Sequence, residues 1–122
     1  MNSLIPVMIG GAAGAGARHL VGASMLARFG PGFPWWTLTV NIVGGFLMGL
    51  LVGSLVKTGG SEQLRLLLGV GVLGGFTTFS AFSLESWQMI EGGQMTVAIG
   101  YAGASVMGSV VALGLGLWLT RL

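Results

Sequence analysis

The sequence contains no cysteine. That excludes disulfides and thiolate-bound metals, and it leaves the redox compartment unreadable. Charge is nearly as scarce: charged residues make up 7% of the chain, against about 25% in a soluble domain. So few charges cannot keep a globular surface wet. There is one histidine, and the three acids are scattered along the chain. No nucleophile with a base and an orienter can be assembled from this set, so catalysis is not expected. The glycines fall inside apolar runs rather than between a strand and a helix, so no phosphate-cradling loop is present. Five Lys and Arg against three acids give a net charge of +2. They form no basic patch, and no nucleic-acid partner is expected.

What is present is apolar. Hydrophobic residues make up 53% of the 122 positions, and they fall into four runs that define the spans. With about 20 helical residues needed to cross 30 Å of hydrocarbon, the spans are placed at about 4–27, 35–56, 62–89 and 95–120. The expected fold is an all-α integral membrane protein, and residues 1–122 form a single transmembrane domain. The N-terminal MNSLIPVMIG lacks a basic stretch and reads as the start of the first span rather than a cleaved leader. Turn signals separate the spans: PGFP at 31–34, KTGGS at 57–61 and EGGQ at 91–94. Trp35, Trp36, Trp87 and Trp118 lie near span ends, where indole rings favour the headgroup level.

Four spans put both termini on one side. That side carries Lys57, Arg65 and Arg121, and the other carries Arg28, with Arg18 if it snorkels there. The positive-inside bias is weak. Insertion in both orientations, which permits an antiparallel homodimer, and a single orientation with cytoplasmic termini both fit this count.

Close helix packing in lipid relies on small residues. Gly45, Gly49 and Gly53 form one such stripe on the second span. Gly100, Ala104, Gly108, Ala112 and Gly116 form a longer one on the fourth. Beside the latter, Tyr101, Ser105 and Ser109 recur every fourth residue and align hydroxyls along one face. The line reads either as serines bonded back to their own helix under a rim tyrosine, or as a groove for a solute that accepts hydrogen bonds.

The third span holds the most polarity. Residues 74–85 read GGFTTFSAFSLE. Gly74 and Gly75 followed by Thr77 and Thr78 weaken a helix, and a mid-membrane break is expected there. A break frees backbone carbonyls of the kind that hold Na⁺ at mid-depth. Phe79 and Phe82 begin the second half on one face, and ring edges carry partial positive charge that an anion can meet. By themselves, two phenylalanines three apart are equally plain packing. Glu85 follows on the same side. Asn41, with Thr37 one turn before it, is either interhelical glue or an N–H donor to an anion. Arg18, late in the first span, is either an interfacial anchor or the cation of a wet vestibule. His19 has no assigned role.

Taken together, GGAAGAGARH at 10–19, GPGFPWWTLTVNIVGGFLMG at 30–49 and GVLGGFTTFSAF at 71–82 resemble the Fluc fluoride channels, also called CrcB proteins, over nearly the whole chain. The resemblance implies a passive, fluoride-selective channel that exports fluoride and relieves its toxicity. It implies a dual-topology homodimer with two antiparallel pores in the inner (plasma) membrane of a prokaryote. It also implies a central structural Na⁺ held by backbone carbonyls of Gly74 and Thr77 from each subunit. Carried over by motif, Phe79, Phe82, Asn41, Thr37, Ser80, Tyr101, Ser105, Ser109 and Glu85 belong to the fluoride pathway and Arg18 to its vestibule. The implied partners are fluoride, membrane lipid and a second copy of the chain. Two positions depart from the pattern. Ala81 stands where threonine is common, which removes a hydroxyl, and His19 stands where a tyrosine often follows the arginine. A small multidrug exporter would need an acid in the first span, which has none. A structural subunit would explain the glycine stripes but not Thr77, Thr78, Asn41 and the hydroxyl line.

Overall fold

The computed structural model describes residues 3–122, and every regular element in it is helical. Helix α1 (Leu4–Phe29) is followed by α2 (Trp35–Thr58). The third span, Glu62–Glu91, is two helices in series, α3 (residues 62–76) and α4 (Phe79–Glu91), and α5 (Met95–Thr120) closes the chain. Four spans are long and apolar enough to cross a membrane. Each ends within about two residues of its expected limit.

The links obey local chemistry. Gly59 adopts a left-handed conformation at φ 64° and closes α2, as glycine commonly does at a C-terminus. Ser61 opens α3 by accepting from the Leu64 N–H at 3.1 Å. Glu62 and Arg65 form a two-pronged ion pair at 2.8 and 2.7 Å on the exposed start of α3, worth no more than about 1 kcal/mol. Lys57 Nζ donates to the Thr120 carbonyl at 2.9 Å and ties the end of α2 to the end of α5.

Two backbone-to-backbone seams hold the bundle. In the first, α1 lies against α3. A Cβ at Gly10 would strike the Leu67 carbonyl, and one at Gly14 would strike the Val72 carbonyl. A Cβ at Gly75 would stand 2.6 Å from the Gly11 carbonyl. In the second seam, α2 lies against α5. A Cβ at Gly45 would approach the Ser109 carbonyl to 2.7 Å, and Cβ atoms at Gly49 and Gly116 would collide with the Leu113 and Phe46 carbonyls. The stripe on α2 therefore packs as its spacing suggests. The five-member stripe on α5 does not act as one unit. Gly108, Ala112 and Gly116 are turned inward, whereas Gly100 and Ala104 are exposed and no atom lies within 4 Å of a Cβ at Gly100. The α1–α3 seam had its signal in GGAAGAGA and GVGVLGG. Periodicity alone does not pair one with the other.

Candidate anion pathway

The third span breaks at Thr77 and Thr78, both extended, with ψ of 159° and 121°. Upstream, residues Arg65–Leu73 are wound wide, with hydrogen bonds reaching five residues back at the point where Gly74 N–H meets the Gly69 carbonyl. Gly74, Gly75 and Phe76 remain helical, so the interruption falls just after the glycines. Thr78 supplies the restart: its Oγ1 accepts from the Ala81 N–H at 3.2 Å and caps α4.

Backbone freed in hydrocarbon must be satisfied from elsewhere in the protein, and two side chains do so. Asn41 Nδ2 donates to the Thr78 carbonyl at 2.9 Å, while the Thr78 N–H donates to Asn41 Oδ1 at 2.8 Å. This reciprocal pair sets the amide's orientation, and it leaves one Nδ2 proton free. Arg18 lies near the middle of α1 and turns inward, and its Nε donates to the Gly75 carbonyl at 3.0 Å. The sequence offered an interfacial anchor or a vestibule cation for Arg18; the structure adds a brace on the break. The carbonyls of Gly74, Phe76 and Thr77 accept no hydrogen bond among the described residues. Gly74 and Thr77 are the two positions that the resemblance assigns to a cation. Their unpaired carbonyl oxygens are of the donor type Na⁺ takes.

The other sequence-predicted residues fall into two groups. Asn41, Phe79, Phe82, Ser105 and Ser109 line one groove of about 380 Å³, together with Thr77 and Thr78. Ser105 is 6% exposed, and its hydroxyl has no partner. Buried polar atoms are normally satisfied; among the described residues the side-chain exceptions are this hydroxyl and that of Ser86. Phe79 is 76% exposed on the groove's open side, and its ring centre lies 5.5 Å from that of Phe82.

Thr37, Glu85 and Tyr101 form the second group. Thr37 Oγ1 donates to Glu85 Oε2 at 2.8 Å, and the Tyr101 hydroxyl donates to Glu85 Oε1 at 2.8 Å. Thr37 and Tyr101 are 0% and 1% exposed, so both donors are shielded from solvent. Phe82 joins the groups: its ring centre is 5.2 Å from that of Tyr101. Ser80 joins neither, because it is exposed and its hydroxyl reaches only the Thr78 hydroxyl at 3.4 Å. Thr78 was missed as a site residue. A threonine just before a helix restart was the available signal.

A family model described as CrcB-like protein, Camphor Resistance (CrcB), matches residues 5–117. Among curated relatives, one from Sphingopyxis alaskensis is 64% identical over 122 residues, covering 99% of this chain and 97% of its own. One from Phenylobacterium zucineum is 54% identical over 123 residues, covering 99% and 97%, and one from Mesorhizobium japonicum is 50% identical over 121 residues, covering 99% and 98%. Each is named a fluoride-specific ion channel FluC. With four apolar helices and bacterial relatives throughout its length, the chain is a multi-pass protein of the prokaryotic plasma membrane. It belongs to the CrcB family.

Proposed function

We propose that this protein is a passive, fluoride-selective channel that lets the ion leave the cell down its gradient and so relieves fluoride toxicity. It is a transport protein and not an enzyme. The observation that carries the reading is the unpartnered Ser105 hydroxyl, buried in a groove that also holds Phe79, Phe82, Asn41 and Ser109. Fluoride is small and strongly hydrated, so entry requires substitutes for its lost water. Hydroxyls, the free Asn41 N–H and phenylalanine ring edges are donors suited to that task. Larger halides gain less from them. The names of the relatives support the same ion.

The active unit in this reading is an antiparallel homodimer with two pores. The weak charge bias between the two faces supports dual insertion. The groove is open on one side, and Phe79 projects from it without cover. A second copy would supply the missing wall. Gly74 and Thr77 from each copy would together offer four carbonyls to a central Na⁺, which would neutralise those dipoles and hold the breaks together. Liposomes containing only the purified protein test the function. Fluoride efflux without chloride efflux supports it. Silence for fluoride overturns it.

A further inference from the structure

A second concavity, of about 320 Å³, lies at the end of the bundle opposite the start of α1 and the end of α5. Its walls are the 30–34 loop, the first turn of α2 and the α4–α5 connection, and it shares no lining residue with the groove. Glu85 reaches it from α4, Gln88 follows one turn later, and Gln94 stands at the start of α5. The position is shallow. Trp35 and Trp87, both about half exposed, lie at the same end, where indoles meet headgroups and water.

Its polar groups are arranged unequally. Both Glu85 oxygens already accept from Thr37 and Tyr101, so the carboxylate is held back by two hydroxyls. The carboxamides of Gln88 and Gln94 are exposed and make no hydrogen bond among the described residues. Each carries two N–H donors. The cleft is also wired to the groove: Phe82 lines the groove and packs on Tyr101, and Tyr101 bonds the Glu85 carboxylate that lines the cleft. An anion moving past this line of side chains reaches the cleft next. There it meets two free amide donors and a carboxylate each of whose oxygens already accepts one hydroxyl hydrogen bond.

We propose that this cleft is an aqueous mouth of the anion pathway and that Gln88 and Gln94 are its rehydration residues, whose N–H groups bridge between the dry track and bulk water. The inference rests on the fluoride-channel reading above. Because the chain has no cysteine, Gln88→Cys and Gln94→Cys can each be probed alone with a negatively charged thiosulfonate, applied in detergent before reconstitution so that the mouths of both antiparallel copies are reached. Met107→Cys, 68% exposed in the middle of α5, serves as the comparison. The expected result is rapid labelling at 88 and 94, read as a mass shift, with at least a fivefold slowing of fluoride efflux, and little labelling at 107. Cysteines at 88 and 94 that stay unlabelled overturn the proposal, because the cleft is then dry. Complete labelling with unchanged efflux overturns it too, because the cleft is then off the path. No fluoride efflux from the unmodified chain removes the channel reading and this inference together.

Discussion

Asn41 and Thr78 exchange two hydrogen bonds, at 2.9 and 2.8 Å, across the break in the third span. The amide replaces the helical partners that Thr78 has lost, as donor and acceptor at once. Asn41→Asp keeps an acceptor for the Thr78 N–H but sets a second oxygen against the Thr78 carbonyl. The expected cost is about 1–3 kcal/mol, from one lost bond and one unsatisfied carbonyl, together with slower fluoride efflux. Thermal melting in detergent and a fluoride electrode would measure both. Unchanged melting would mean that the pair does not brace the break.

Arg18 serves the same break through the Gly75 carbonyl. A lysine carries the charge but has no Nε–H at that height on the side chain. Arg18→Lys is therefore expected to lose most of a charge-assisted bond, about 1.5–3 kcal/mol. A melting temperature equal to the parent's would show that charge alone suffices.

Tyr101→Phe removes a single oxygen and leaves Glu85 Oε1 without its donor. It should leave the ring contact with Phe82 in place. Efflux is expected to fall several-fold with a stability loss of about 1–2 kcal/mol. Phe82→Ile is expected to slow efflux while the dimer, followed by size-exclusion chromatography, persists. Normal efflux in Phe82→Ile would take that ring out of the pathway.

The seams give a contrast in glycine tolerance. Gly49→Ala forces a Cβ into the Leu113 carbonyl and Gly14→Ala forces one into the Val72 carbonyl, whereas nothing lies within 4 Å of a Cβ at Gly114. The first two variants are expected to be poorly folded or to melt well below the parent, and Gly114→Ala to melt close to it. Equal melting across the three would deny the backbone contacts described.

Replacing Na⁺ with N-methylglucamine tests the carbonyls of Gly74 and Thr77. Melting temperature and efflux are both expected to drop and to recover on return of Na⁺. Indifference to Na⁺ in both measurements would leave those oxygens without a cation.

The span limits and the break were legible because hydrocarbon thickness sets run length, and because two glycines before two threonines weaken a helix on local grounds alone. The α2 stripe was legible for the same reason: period four on one helix is a local property. Its partner was not, since a sequence does not say that Gly49 meets Leu113 and Gly116 rather than another span. The individual roles of Asn41 and Arg18 were undecidable for that reason as well. Each had two physically sound readings, and the contacts with Thr78 and Gly75 that the structure adds are not visible in the sequence. Ser80 is a different case. The motif assigns it to the pathway, yet in a single copy it is exposed and its hydroxyl reaches only that of Thr78.

Arg18 and Asn41 both precede, in chain order, the segment they support. Synthesis runs from the N-terminus, so both residues are made before residues 74–78. The docking groups for the least lipid-compatible stretch are therefore the first to be made. A reversed order would expose bare peptide groups to acyl chains until later spans caught up, so the gene's linear arrangement spares the nascent protein its most hazardous intermediate.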